Sequence, residues 1–222
     1  MYDMKTKTRI LKTSRALFNE AGEAEQTAVD IANELEISPG NLYYHFKGKD
    51  AIIEALFDEF EEEMRLILTG SQGNIASLED VWVYIYILLE EIYDFRFFYY
   101  NLGALLDRYP GLARRFRAII EDKKAAITGL IDTLETGGAL DIPENLKEAL
   151  ILQIVSTATF WLSLYQIEDR PLEPASLIHR TVYHILTLLV PYTDEAGFAN
   201  FEKFTDYYHE ALAETGARAH PS

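Results

Sequence analysis

The chain has 222 residues, 49% of them hydrophobic, and a formal net charge of −16. That length admits one large domain or a small domain fused to a larger one. The absence of cysteine excludes disulfides, thiol catalysis and cysteine metal sites. So acidic a balance argues against non-specific attraction to nucleic acid, but the charge is unevenly spread. Residues 1–50 carry seven Lys/Arg and eight Asp/Glu, a net of −1, and the rest of the chain holds −15. Within the first fifteen residues Lys5, Lys7, Arg9, Lys12 and Arg15 face Asp3 alone, so phosphate is met favourably only at the N-terminal end.

The opening Met-Tyr-Asp-Met-Lys-Thr-Lys has no apolar run behind its charges, so it does not read as a secretory signal and a cytoplasmic protein is expected. Almost every long segment has helical period and none has sustained strand alternation, which makes the fold all-α. Ile10, Leu11, Leu17, Phe18 and Ala21 form the apolar stripe of a first helix that Gly22 ends. Thr27 caps a second, with Asp30 three residues on as in a capping box. Its buried face is Ala28, Ile31, Ala32 and Leu35. Ser38 caps a third, with Pro39 at the first helical position. Leu42 and Phe46 turn inward from it. A fourth helix runs from about Lys49 to Leu68 and links residues 1–50 to a second part, 51–222.

Beyond a loop at 70–74, Ser77 and Asp80 cap a helix from Leu78 to about Leu106, with Gly103 a candidate break in it. Helices over 111–135, 144–167, 174–190 and 194–214 follow. From Ala149 to Ile167 no residue is charged, close to the length that spans a bilayer. Gln153, Ser156, Thr157, Thr159, Ser163 and Gln166 interrupt that run, which favours a helix buried among other helices over a membrane span.

At 100° per residue the third helix separates its faces. With Leu42 and Phe46 inward, Gly40, Asn41, Tyr44 and Lys47 point away, and Tyr43 and His45 flank them. Two short helices with a tight turn and an exposed polar-aromatic second face are how a helix is presented to the major groove of DNA. Gly40 lets backbone approach closely, Asn41 suits an adenine edge or a phosphate, and Tyr44 suits a thymine methyl. Thr27 and the N-terminal amides of the second helix suit a phosphate, as does Lys49, and Ser38 and Pro39 join the residues expected at the DNA.

These residues resemble the TetR family of transcriptional regulators: Thr27, Ile31-Ala32, Ile37-Ser38, Leu42-Tyr43-Tyr44-His45-Phe46 and Lys49, over about residues 6–55. Glu36 departs from the pattern at a turn position that is commonly glycine. The resemblance implies an N-terminal three-helix DNA-binding domain joined by a continuous helix to a larger helical ligand-binding and dimerisation domain. It implies a homodimer on a near-palindromic double-stranded DNA operator, and no enzyme activity, cofactor or metal. A small effector wedged in the second domain would tilt the fourth helix and change the separation of the two reading helices.

By that analogy an apolar cavity for a small lipophilic effector draws on Trp82, Tyr86, Glu90, Tyr93, Phe97, Tyr100, Phe160 and Trp161. The simplest reading of most of these rings is core, and of Glu90, Glu91 and Asp94 a solvated helix face. Phe97 to Tyr100 are consecutive, so they cannot all face one core from one helix. Dimerisation is expected through the helices at 144–167 and 174–190. Ser156, Thr159 and Ser163 permit close approach there, and Ile178, Val182, Ile185 and Leu189 supply an apolar face. His179 and His184 lie five apart, a poor spacing for a shared metal; with His209 they read as surface or interface residues. The competing reading is a helical small-molecule-binding or protein-adaptor protein without an operator.

Overall fold

The computed structural model describes residues 2–70, 75, 77–168, 173–195, 197–199, 201–202 and 205. Among them the chain is built from helices alone: α1 (Tyr2–Ala21), α2 (Ala28–Glu34), α3 (Pro39–His45), α4 (Lys49–Gly70), α5 (Leu78–Asp94), α6 (Phe97–Tyr100), α7 (Leu102–Arg108), α8 (Pro110–Thr136), α9 (Glu144–Glu168) and α10 (Pro174–Leu189). The loop expected at 70–74 and the helix expected at 194–214 lie mostly outside the described residues. His209 lies outside them entirely.

The chain forms two compact units. Unit 1 is Met1–Glu63 with Asp94–Phe116; unit 2 is Met64–Tyr93 with Arg117–Ser222. The change of unit falls inside α4, after Glu63, and the segment 94–116 returns to the first unit.

Unit 1 is assembled from stripes too short to make a core singly. Ile10 and Phe18 of α1, Ile31 and Ala32 of α2, Leu42 of α3 and Ile52, Ile53, Leu56, Phe57 and Phe60 of α4 are all fully buried. Each large side chain of this kind contributes roughly 1.5–3 kcal/mol of transfer free energy. The segment 94–116 adds a second layer of rings: Phe97 lies 5.3 Å from Phe18, Phe98 5.2 Å from Phe57, and Phe95 5.5 Å from Phe60, centroid to centroid. Such tilted and edge-on pairs satisfy the ring quadrupoles as well as burying area.

The helix expected from Leu78 to about Leu106, with a break allowed near Gly103, is instead three helices, with stops after Asp94 and after Tyr100. Phe97, Phe98 and Tyr99 are all buried, and Tyr100 is half-buried. A single straight helix could not have turned three consecutive rings into one core. The break re-aims them.

In unit 2, α9 and α10 pack together with α5 and the rest of α8. Ile154, Val155, Ala158, Trp161 and Leu162 of α9 and Ile178, Val182, Ile185 and Leu189 of α10 are buried. By length and composition the Glu144–Ile167 stretch could cross a membrane, with 44% of its most apolar window buried within the chain. Within the single chain its burial is one-sided. Leu152, Phe160, Leu164 and Ile167 stand on a surface-exposed face. Lys147 anchors the start of α9 to the end of α8, 2.7 Å from Glu135 and 3.4 Å from Asp132.

Candidate nucleic-acid interface

The geometry of the candidate interface begins at the cap of α2. The Thr27 amide and hydroxyl both donate to Asp30 Oδ2, at 2.8 and 2.6 Å, and the Asp30 amide donates back to Thr27 Oγ1 at 3.2 Å. These bonds hold the Asp30 carboxyl below its usual range, the hydroxyl being the larger cause. They also commit the Thr27 hydroxyl to the cap, so its contribution to a phosphate site is the placement of α2. Glu36 follows α2 in the left-handed region, φ 54°. That explains why a glycine suits this turn position: L side chains are strained there.

Ser38 then caps α3, its Oγ accepting from the Asn41 amide at 3.2 Å, with Pro39 at the first position. Leu42 and Phe46 are buried, which fixes the rotation of α3. Gly40, Asn41, Tyr43, Tyr44 and Lys47 are therefore all exposed, Tyr44 to 73% and Tyr43 to 47%. His45 is half-buried, its ring edge-on to Tyr44 at 5.2 Å. Lys7 reaches over the Phe46 ring at 5.3 Å, which brings the basic first half of α1 beside the end of α3. Lys49 is half-buried and donates from Nζ to the Glu23 carbonyl at 2.8 Å. It ties α4 to the α1–α2 loop besides adding charge.

A side chain at position 40 would meet only Ser38 Oγ, 3.9 Å away. Gly40→Ala is therefore expected to stabilise the exposed helix by roughly 0.5–1 kcal/mol. Operator affinity should fall, because the new methyl stands where backbone approaches DNA. Thermal unfolding and a duplex titration read the two effects separately. A variant that is more stable and binds unchanged would show that no close approach occurs at Gly40.

The residues assigned by sequence to an effector fall in different places. Phe97 and Tyr100 belong to unit 1, Phe97 within its ring cluster. In unit 2 Trp82 stacks on Tyr86 at 5.3 Å and on His179 at 5.2 Å. His179, expected at a surface, is half-buried there, and burial pushes its pKa down. Tyr93 lies 6.4 Å from Trp161. Glu90 is exposed. Phe160 and Trp161 line a hollow of about 340 Å³ with Ser156, Thr157, Leu164, Tyr165, Thr181 and His184.

Of the residues assigned to dimerisation, Ser156 and Ser163 are half-exposed. Thr159, Ile178, Val182, Ile185 and Leu189 lie in the chain's own core. The exposed apolar face is instead Leu152, Phe160, Leu164 and Ile167. Phe160, Leu164 and Ile167 follow helical spacing, a signal present in the sequence. Among the described residues no group of three or more His, Asp or Glu could hold a metal ion.

An outward-turned, capped second helix on a three-helix core defines a helix-turn-helix DNA-binding protein. The family model described as bacterial regulatory proteins, tetR family, matches residues 10–56, and the one described as bacterial transcriptional repressor matches residues 59–201. The chain belongs to the TetR family of bacterial transcriptional regulators. It is 40% identical over 57 residues to the transcriptional regulator UidR of Escherichia coli K12, a match that spans 26% of this chain and 29% of UidR. A TetR-family regulator from Marinobacter aquaeolei VT8 has a similar structure, at 31% identity and TM-score 0.80, over 93% of this chain and 98% of that one. SmeT, solved as its triclosan complex, shares the fold at 18% identity and TM-score 0.58, over 86% of this chain and 96% of that one. Members of the family are transcription factors, not enzymes.

Proposed function

We propose that the chain is a repressor that binds a near-palindromic operator as a homodimer and is released by a small lipophilic effector held in unit 2. The observation that carries this reading is the exposed ridge of Asn41, Tyr43, Tyr44 and Lys47, held outward by the burial of Leu42 and Phe46. Two such ridges, spaced by one helical turn of about 34–36 Å or a multiple of it, would read the two half-sites. The α9 face of Leu152, Phe160, Leu164 and Ile167 supports self-association, since a contiguous apolar surface gains by being covered. The interior of unit 2 supports an effector. The Tyr84 hydroxyl and the Trp161 indole N–H are buried there without a hydrogen-bond partner among the described residues. Buried polar groups in folded proteins are normally paired, and a small molecule carrying polar atoms on an apolar frame would pair them. SmeT with bound triclosan is an example of a small molecule on this fold.

The test is a shift experiment with fragments of the promoter region beside the protein's own gene, joined to sedimentation. The wild type should sediment as a dimer and retard one fragment at nanomolar concentration. Phe160→Glu places a charge on the exposed face, away from the core, and should give a folded monomer whose operator affinity falls at least about tenfold. A strictly monomeric wild type, or no sequence preference at low salt, would defeat the reading.

A further inference from the structure

We infer that the hollow between α9 and α10 is a seat for an uncharged, flat aromatic molecule, and that a second copy of the chain closes it. The inference rests on unit 2 being the part that takes an effector and self-associates; it adds the chemical class of the effector and the control of its binding. The hollow holds about 340 Å³. Phe160, Trp161 and Tyr165 give it aromatic walls from α9, and Thr181 and His184 line it from α10.

The sequence of α9 makes room for it. Leu152, Ser156, Phe160 and Leu164 stand four apart, so they share one face of the helix. That face is apolar except at Ser156, whose small side chain leaves a gap one turn before Phe160. Trp161 and Tyr165, also four apart, are buried on the adjoining face. Their rings are pre-set by contacts within unit 2. Tyr93 lies 6.4 Å from Trp161, Trp161 is edge-on to Tyr165 at 6.1 Å, and the Arg180 guanidinium covers the Tyr165 ring at 5.2 Å. A ligand entering between walls already ordered does not have to order them.

The lining also selects by charge. Among the described lining residues there is no Asp, Glu, Lys or Arg, so an ion would lose water without gaining a countercharge. The Thr181 hydroxyl donates to the Leu177 carbonyl at 3.0 Å. Ser156 and Thr157 are half-exposed at the hollow, and their hydroxyls suit one polar group on an otherwise apolar molecule, such as a carbonyl oxygen.

Alone, the hollow is unfinished. Small-molecule sites bury roughly 70–90% of their ligand's surface. This one is open on the side of Phe160 and Leu164, each more than half exposed. Those two side chains continue into the exposed apolar face with Leu152 and Ile167. A second copy laid on that face roofs the hollow. Ligand and second copy therefore strengthen each other's binding, by the same factor in both directions.

The experiment uses the full-length protein and prodan, an uncharged naphthyl ketone whose emission moves to the blue in apolar surroundings. Wild type, Thr157→Phe and Leu152→Glu are titrated with prodan and sedimented with and without it. Thr157→Phe fills the hollow and leaves the exposed row intact. Leu152→Glu leaves the hollow intact and puts a charge on the exposed face beside it. The wild type should show a saturable blue shift, and prodan should lower its dimer dissociation constant at least about fivefold. Thr157→Phe should remain a dimer and bind prodan at least about tenfold more weakly. Leu152→Glu should sediment as a monomer and bind prodan at least about fivefold more weakly.

The wild-type linkage needs no variant, so the test stays decisive should Thr157→Phe fail to fold. Prodan binding unchanged in Thr157→Phe, equal prodan affinity in the wild-type dimer and monomeric Leu152→Glu, or a dimer constant indifferent to prodan would each overturn the seat. A wild-type dimer that excludes prodan would mean that a side chain of the second copy fills the hollow; the seat would be lost and the operator reading would stand. A strictly monomeric wild type would defeat the self-association reading as well.

Discussion

Tyr44→Ala is expected to cost the operator complex roughly 1–3 kcal/mol per half-site, about 5- to 150-fold in affinity, and to leave the fold alone. The ring is 73% exposed and its only ring contact among the described residues is the edge of His45. Substitutions at such surface positions usually move stability by less than about 0.5 kcal/mol, or under about 2 °C in Tm for a chain of this size. A duplex titration and a melting curve on the same preparation check both halves. The salt dependence adds a third reading. Loss of a base contact should lower affinity for the selected duplex and leave the slope of log K against log salt unchanged, whereas Lys47→Ala should flatten that slope by about one. Tyr44→Ala with equal loss on all duplexes would make Tyr44 a backbone contact.

The reading head was legible because its signals are local. The Thr27–Asp30 box, Ser38-Pro39 and the Leu42/Phe46 pair each act within four residues, and the structure realises all three bonds or burials. The stop after Asp94 was not legible. Its cause is Asn19, 75 positions earlier, and no pattern in residues 78–106 encodes it. Phe97 shows the related difficulty with aromatic rings: a phenyl group packs equally well on Phe18 or on a ligand, and only the fold distinguishes them. On α9 apolar residues occupy both the core face and the exposed face, which erases the contrast that periodicity depends on, so the sequence did not tell the two faces apart. Once Trp161 and Leu162 are seen inside, Phe160 and Leu164 must lie outside. The same logic moved the expected dimer residues of α10 into the core, since a stripe of Ile178, Val182, Ile185 and Leu189 serves a neighbouring helix of the same chain as well as a partner.

Lys123→Met is expected to raise stability by about 2 kcal/mol near neutral pH and to remove a pH dependence that the wild type carries. Lys123 is 1% exposed and sits in the buried stripe of α8 with Ile119, Ala126 and Ile127. Burial pulls its ammonium down from the ordinary 10.5 to about 7. At about 1.4 kcal/mol per pKa unit, keeping that proton inside the fold costs several kcal/mol. The interaction Lys123 retains within the protein offsets part of a methionine's advantage, which is why the expected gain is smaller than that cost.

The direction with pH follows from proton counting. Between about 7 and 10.5 the unfolded chain binds a proton that the folded chain has released, so wild-type stability rises with pH across that window and is lowest below it. Methionine has nothing to titrate. Burial also pushes Tyr84 up to about 12, but that group is common to both proteins and cancels in their difference. Urea unfolding of the pair at pH 6.5 and pH 9 should therefore show the variant's advantage shrinking at the higher pH. An advantage equal at both would mean that water reaches the ammonium in the folded state.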